Sequence, residues 1–284
     1  MPRKPDAEAE SRDGSVEDSD GAVDDGDLDD DFIMIQRTIS QKRREKASEC
    51  SITKRLPFTF APNIRPLSVS DLQSCIALEN AAFPHPEHRC SPEKFEYRLT
   101  TCPELSIGVF CTVVPSLATG FYVETLATAN KVETDRADGA VSVLLAHIVA
   151  TASFSETVTD ADMDYPRDWR STRGKRAPVG HQEGGRTVCL HSLAVVPKLQ
   201  NCGLGQLIMK AYLQQVRNLD TADRVALICQ AYLVSYYQRL GFKHLGESKA
   251  TFGGGGWHDM VFHFTGLPKV TYKKGDDETD SPQS

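Results

Sequence analysis

The hydrophobic and polar positions of the chain follow two periodicities, which predict alternating strands and helices. Runs that are apolar at almost every position, at 143–151, 188–196 and 224–229, predict strands that are covered on both faces. Apolar residues three or four positions apart at 206–219 predict a helix with one buried face. The full order is one strand, two helices, three strands, a helix, a strand, a helix and two strands. It predicts an α/β fold with α+β layering, in which a central mixed β-sheet has helices on both faces.

Start and stop signals place the first two helices. Ser70-Asp71-Leu72-Gln73 has a capping-box pattern, and Pro84 ends the helix that follows. Ser91-Pro92-Glu93 combines an N-cap residue with proline at the first helical position. Two helices are therefore expected between the first strand and the second.

The composition of the two ends predicts disordered tails around one folded domain. Residues 1–57 are first acidic and then basic, and they contain few large apolar side chains. Residues 268–284 form a second charged tail. The folded domain is expected at 58–267, with polar or glycine-rich insertions at about 113–140 and 157–187.

Composition and cysteine spacing exclude several classes of protein. The net charge is −7, and no basic face suggests a nucleic-acid partner. The first residues lack the apolar segment of a secretory signal, and the longest nearly apolar run, 140–152, is too short to span a membrane. The eight cysteines are scattered without a C-x-x-C pair, which argues against a zinc site and a disulfide scaffold. We therefore expect a cytoplasmic protein with reduced thiols and with no metal, nucleic-acid or membrane partner.

The stretch 188–205 is the one around which the rest of the chain is organised. Its buried strand ends at Pro197, and a turn that contains Gly203 and Gly205 leads into the helix at 206–219. Backbone N–H groups at such a helix N-terminus hold an anion such as a pyrophosphate, and glycines let the backbone come close to it. Taken alone, the two glycines favour a plain strand-to-helix turn.

Several short motifs together resemble one enzyme superfamily. Q-x-x-G-x-G at 200–205, directly after an apolar strand, resembles the acetyl-CoA loop of the GNAT superfamily of N-acetyltransferases. L-H-S-L-A-V at 190–195, E-x-x-A-F at 79–83 and C-P-E-L-S at 102–106 resemble its arylalkylamine (serotonin) N-acetyltransferase branch. The resemblance covers about 58–267 and implies the GNAT fold, with acetyl-CoA as co-substrate. The residues that it implies for acetyl-CoA binding are Leu193, Ala194, Val195, Gln200, Asn201, Cys202, Gly203, Leu204, Gly205 and Gln206.

Acetyl transfer from a thioester to an amine requires two proton transfers. The amine, whose free pKa is about 10, must lose a proton before it attacks, and the leaving thiolate benefits from gaining one. The resemblance implies that His191 accepts the first proton, as the base or as a member of a water relay. It implies that Tyr237 protonates the thiolate and that Tyr236 packs beside it. Without that context, His191 would be interpreted as a core histidine and the two tyrosines as packing residues.

The vertebrate enzymes of this branch have a second histidine in the proton relay, at the position of Cys189. A thiol is a poor substitute for that base. Glu79 and Glu87 are two other candidates for the missing role. The sequence does not distinguish between these three residues.

The acceptor pocket that the resemblance implies is lined by Phe83, Phe252 and Trp257, a slot that favours a flat apolar amine. The expected reaction transfers acetyl from acetyl-CoA to the primary amine of an arylalkylamine, such as serotonin, tryptamine or phenethylamine, by direct attack in a ternary complex. Two alternatives are a polyamine N-acetyltransferase and a non-catalytic, phospho-regulated acetyl-CoA-binding protein.

Vertebrate members of the branch carry a phosphorylated, 14-3-3-binding site just before the catalytic domain. Arg37-Thr38-Ile39-Ser40 and the arginines before Ser48 occupy a comparable position here. Such kinase-like matches are common by chance in tails of this composition. A 14-3-3 partner is accordingly the weakest of the expectations.

Overall fold

The computed structural model describes residues 52–118, 120–132, 137–171 and 178–264. The described residues all belong to one compact unit of the chain. Most of the predicted N-terminal tail, all of the C-terminal tail and the 14-3-3 matches lie outside the described residues.

One mixed β-sheet forms the centre of the fold, as predicted. Its eight strands are β1 Pro62–Pro66, β2 Ile107–Val113, β3 Asn130–Lys131, β4 Val141–Ser153, β5 Thr187–Val195, β6 Arg224–Cys229, β7 Lys243–Glu247 and β8 His258–His263. They lie in the order β1-β2-β4-β5-β6-β8-β7, and β3 pairs with β4. Only the β5–β6 pair is parallel among these strands; the other neighbours are antiparallel.

Helices cover the sheet, and they follow the predicted order apart from the short α3, which lies in the segment predicted as an insertion. The α-helices of the described ranges are α1 Leu72–Ala82, α2 Pro92–Thr101, α3 Asp160–Met163, α4 Leu204–Leu219 and α5 Val234–Gln238. α1, α2 and α4 all contact β4. Val143 and Leu144 of β4 are both fully buried, and since consecutive residues of a regular strand point to opposite faces, both faces of the sheet are covered.

The two predicted helix starts differ in outcome. Ser91 caps α2 as expected, because its Oγ accepts the Lys94 N–H at 3.3 Å. The capping box of α1 lies two residues earlier than predicted, since Asp71 Oδ2 accepts the Ser68 N–H at 3.0 Å. Asp71 also forms an ion pair with Arg65 at 2.8 Å, which helps to hold the Asp71 carboxylate in place. A short 3-10 turn therefore precedes α1.

Parts of the segments that composition assigned to a tail or an insertion belong to the core. Ile52 and Leu56 are buried, although they precede the predicted start of the domain. Within 113–140, Val123 is buried and Thr125 Oγ1 donates to a backbone oxygen of β4 at 2.6 Å. A few buried side chains anchor these mostly polar segments. The average composition of each segment does not reveal them.

The second predicted insertion, 157–187, contains α3. Asp162 Oδ2 accepts hydrogen bonds from the N–H and the hydroxyl of Thr159 at 2.8 and 2.7 Å, which fixes the first turn. The N–H of Gly180 donates to the Ala161 carbonyl at 2.8 Å. Met163, at the end of α3, is buried. The described part of the insertion thus packs against the sheet through Met163.

Candidate active site

The sheet opens at its centre, because β5 and β6 pair over only part of their length. Their parallel pairing joins 187–189 to 224–226. Beyond Cys189, β5 continues to Val195 with β4 as its only strand partner in the described ranges. This part of β5 therefore presents one backbone edge to the opening, where an extended ligand can form hydrogen bonds with it.

The turn after β5 has the backbone of an anion-binding loop. Asn201 and Gly203 have positive φ angles of 60° and 87°. The helix α4 begins directly afterwards at Leu204 and runs for 16 residues. Its first turn contains no acidic residue, so the N–H groups and the positive end of the helix dipole face no competing negative side chain. The turn fits a pyrophosphate.

The ten residues predicted to bind the co-substrate form one continuous path along the end of β5, the turn and the first turn of α4. Gln200 Nε2 donates to the Val195 carbonyl at 3.1 Å and ties the turn to the strand. Cys202 and Leu204 are buried in the core. Those two residues can therefore offer only their backbone to a ligand.

His191 occupies a β-bulge. Leu190 and Ser192 pair with consecutive residues of β4, so His191, between them, has no partner of its own. The bulge brings two neighbouring polar side chains, those of His191 and Ser192, into separate polar contacts at the centre of the site.

The surroundings of His191 favour its neutral form. Its Nε2 lies 2.8 Å from Thr151 Oγ1, and its Nδ1 lies 3.2 Å from Met163 Sδ. Burial, followed by the nearby positive charges of Arg98 and Lys94, lowers its pKa well below the usual range. The side chain keeps some solvent exposure, so a neutral imidazole is available there to accept a proton.

A second histidine, which sequence reasoning missed, belongs to a buried polar network beside His191. His147 Nε2 lies 3.0 Å from Ser192 Oγ and 3.3 Å from Glu79 Oε2. Ser192 Oγ donates to the same carboxylate oxygen at 2.6 Å, and Glu79 Oε1 accepts the Cys90 N–H at 2.9 Å. Glu79 is only 2% exposed. A carboxylate, a hydroxyl and an imidazole in mutual contact can exchange a proton.

Of the three candidates for the missing histidine, the structure brings only Glu79 into this network. Cys189 is fully buried, and burial raises the pKa of its thiol well above the usual range. The side chain of Glu87 is 53% exposed, and it lies 3.5 Å from the ring of His85 on the surface. Neither group is placed to share a proton with Ser192.

The two neighbouring tyrosines of α5 have different surroundings. Tyr237 is 7% exposed, and its ring packs at 5.1 Å from Tyr236 and 5.6 Å from Phe242. Burial raises the pKa of Tyr237 far above its ordinary value. Tyr236 directs its hydroxyl at the co-substrate turn, where a Cβ added to Gly205 would lie 2.8 Å from it. The assignment of the acid to Tyr237 stays a prediction, and the structure adds the Tyr236 hydroxyl beside the turn.

The predicted acceptor aromatics come together in part. Phe252 and Trp257 stack with their ring centroids 6.4 Å apart, and Trp257 Nε1 donates to the Phe252 carbonyl at 2.6 Å. His88 packs on Trp257 at 4.9 Å, and Lys94 Nζ lies 5.0 Å from the Phe252 ring centroid. Phe83, which follows α1, makes no ring contact with either of them.

The described ranges contain neither a metal-ligand cluster nor a membrane-spanning helix. Among those residues, no group of three or more His, Cys, Asp or Glu side chains is arranged to hold a metal ion. Within the same ranges, no helix has the length and apolar character needed to cross a membrane.

Comparison with known sequences identifies relatives over much of the chain. The acetyltransferase (GNAT) domain family matches residues 134–264. The chain is 27% identical to the serotonin N-acetyltransferase of Mesocricetus auratus over 195 residues, which cover 68% of this chain and 73% of that one. It is 25% identical to the serotonin N-acetyltransferase of Pan troglodytes over 210 residues, or 73% and 79% of the two chains. With that of Macaca mulatta the identity is 30% over 95 residues, 34% of this chain and 47% of the relative.

Solved structures that resemble the chain share less of its sequence than the curated relatives do. The loading GNATL domain of CurA from Lyngbya majuscula is 14% identical with a TM-score of 0.48, and the match covers 72% of this chain and 98% of that one. The ribosomal-protein-S18-alanine N-acetyltransferase from Escherichia coli is 12% identical with a TM-score of 0.41, over 75% and 100% of the two chains. Residues 134–264 therefore form an acetyltransferase (GNAT) domain, and this domain together with the curated relatives supports an acyltransferase enzyme.

Proposed function

We propose that this protein transfers the acetyl group of acetyl-CoA to the primary amine of an arylalkylamine, by direct attack in a ternary complex. One observation carries the proposal: His191 and the Glu79–Ser192–His147 network lie on or against β5, the strand that runs on into the anion-binding turn. A proton acceptor and an anion site are thus adjacent on one strand. The similarity to serotonin N-acetyltransferases supports the amine class.

Acetyl-CoA would be held by the backbone of 193–195 and of the turn 200–206, and it supplies an acetyl group activated as a thioester. The positive φ at Gly203 turns the chain into α4 with its first N–H groups outward. The lack of a side chain at Gly205 leaves the space beside the Tyr236 hydroxyl clear.

His191 is the residue that would take the proton from the amine. Its lowered pKa keeps it unprotonated at neutral pH, and it is the partly exposed member of this polar set. A neutral imidazole is by itself a weak base toward an ammonium group whose pKa is about 10. The buried carboxylate of Glu79, bonded to the adjacent residue Ser192, adds the negative charge that favours movement of a proton into the site.

A tyrosine of α5 would return a proton to the leaving sulfur. Burial raises the pKa of Tyr236 to about 12 and raises that of Tyr237 further, so both stay protonated at neutral pH and can donate. Tyr237 is the residue that the resemblance implies for this role. Tyr236 is the one whose hydroxyl lies beside Gly205.

The proposal is tested by an acetylation panel that follows release of the coenzyme A thiol with tryptamine, serotonin, phenethylamine, spermine and a peptide amine. The expected result is the highest kcat/KM among the aromatic amines. A clear preference for spermine would instead identify a polyamine N-acetyltransferase. Acetyl-CoA binding without turnover of any amine would leave the non-catalytic alternative.

A further inference from the structure

Arg98 of α2 is a buried cation without a counter-charge. It is 2% exposed, and its Nε is buried with no hydrogen-bond partner in the part of the chain that the structure describes. Its Nη1 lies 3.4 Å from Cys90 Sγ, and its Nη2 donates to the Met163 carbonyl at 3.2 Å. Both partners are uncharged. Because burying an ion without an opposite charge is costly, such a group indicates a missing ligand.

The acids near Arg98 already have partners of their own. Glu79 lies beyond Cys90 and bonds to the Cys90 N–H, to Ser192 and to His147. Asp162 accepts both hydrogen bonds from the start of α3. Asp164 pairs with Arg167 at 3.0 Å. No described carboxylate oxygen lies within ion-pair distance of the Arg98 guanidinium.

Arg98 lies next to the groups proposed for catalysis and acceptor binding. It bonds to the Met163 backbone, and the Met163 side chain touches His191. Lys94, one helical turn earlier on α2, lies over the ring of Phe252. The proposed acceptor pocket therefore has two cations on α2, Arg98 and Lys94. The carboxylate of Glu79 lies on the other side of Cys90, which contacts both Arg98 and Glu79.

We propose that Arg98 binds a carboxylate of the acceptor, so that the preferred substrates are aromatic amines that carry a carboxylate, of the aromatic amino acid type. This inference rests on the proposed acetyl transfer to an arylalkylamine. Nε and one Nη of a guanidinium form the edge that grips a carboxylate by two parallel hydrogen bonds, and here Nε is free. The amine end of such a molecule would lie toward His191 and Glu79. A carboxylate that binds to Nε and Nη2 replaces the hydrogen bond that Nη2 now donates to the Met163 carbonyl.

The test compares amines that differ only by this carboxylate: tryptamine with tryptophan, and phenethylamine with phenylalanine. The wild-type protein should favour the carboxylate-bearing member of each pair in kcat/KM. In Arg98→Met this member should lose about 10- to 100-fold, the effect of a charged hydrogen bond, while the simple amine changes little. Arg98→Lys keeps the positive charge but cannot form two parallel hydrogen bonds with a carboxylate. Its kcat/KM for the carboxylate-bearing amine should lie between those of the wild type and Arg98→Met. Arg167→Met removes an exposed cation that already pairs with Asp164 and should leave the ratio unchanged.

A binding measurement separates this inference from the proposed function. Each amine is added without acetyl-CoA, and the rise in melting temperature is recorded for wild type and Arg98→Met. If tryptophan stabilises only the wild type and no amine is acetylated, the carboxylate site stands and the proposed reaction falls. If tryptamine is acetylated in preference to tryptophan, or if Arg98→Met lowers both members of a pair equally, Arg98 only supports Met163 and the inference is wrong.

Discussion

The proposed co-substrate half and the proposed acceptor half of this site are built in different ways. The residues proposed to hold acetyl-CoA, 193–195 and 200–206, lie close together in the chain, and their backbone is shaped by the positive φ of Gly203 and by the start of α4. The acceptor half consists of side chains from separate elements. Ser192 and Glu79, which share a hydrogen bond of 2.6 Å, are 113 positions apart in the chain.

The difference predicts how each half responds to mutation. A site made of backbone groups tolerates most side-chain changes and fails when a Cβ blocks the approach of the ligand. A network of buried polar side chains depends on every member, because removing one leaves its partners unsatisfied. Mutations in the co-substrate half should therefore act on the KM for acetyl-CoA, and those in the acceptor half on kcat.

The largest effect is expected for Glu79→Gln, which keeps the size of the side chain and removes its charge. The amide removes the negative charge that favours movement of a proton into the site toward His191, so kcat should fall by about 100- to 10,000-fold, the range for a group in acid–base catalysis. The KM for acetyl-CoA should change little, because the co-substrate half is untouched. Steady-state kinetics with saturating acetyl-CoA measures both.

Glu87→Gln is the matched control for this variant, since the side chain of Glu87 is 53% exposed on the surface. It should keep nearly full activity. If Glu87→Gln lost activity and Glu79→Gln kept it, the base would lie at the mouth of the site and the buried network would be structural.

The two tyrosines of α5 give the next largest effect, and the hydroxyl of Tyr236 lies beside the co-substrate turn. If Tyr237 is the acid, Tyr237→Phe should lower kcat by about 10- to 1,000-fold and leave acetyl-CoA affinity unchanged, because only a hydroxyl is removed. Tyr236→Phe should then keep kcat. The opposite pattern would assign the acid to Tyr236, whose hydroxyl lies beside Gly205. The residue that the resemblance implies for this role would then be wrong by one position.

The contrast between the halves also explains what could be predicted from the sequence. The strand, the glycine turn and α4 are contiguous, so local patterns predicted these elements, and the residues proposed to bind acetyl-CoA lie on them. His147 lies within the nearly apolar run 140–152, and a histidine inside a strand buried on both faces is itself a signal of a polar network. Arg98 gave no such signal, because an arginine on an amphipathic helix usually faces solvent, and its burial depends on α3, within a segment predicted as a loop.

A smaller effect, confined to the co-substrate half, is expected for Gly205→Val. The added side chain occupies the approach to the first turn of α4, so the KM for acetyl-CoA should rise by about 10- to 100-fold, equivalent to about 1.4–2.8 kcal/mol of binding energy. The melting temperature should change only modestly. Combining Gly205→Ala with Tyr236→Phe is the control, because it adds a Cβ and removes the hydroxyl that would lie 2.8 Å from it. Full recovery of the KM in the double variant would show that the glycine only makes room for Tyr236.

The smallest effect is a displacement of the pH profile, and it tests the electrostatic link between α2 and His191. Protonation of His191 should set the acid limb of kcat/KM, and the charges of Arg98 and Lys94 oppose that protonation. Lys94→Met removes one of them, so the pKa of His191 rises and the acid limb moves to higher pH. Lys243→Met removes the same charge from an exposed position on β7 and should leave the limb in place. His191→Gln should abolish the limb, and its persistence in that variant would show that another group, such as the Glu79 network, titrates instead.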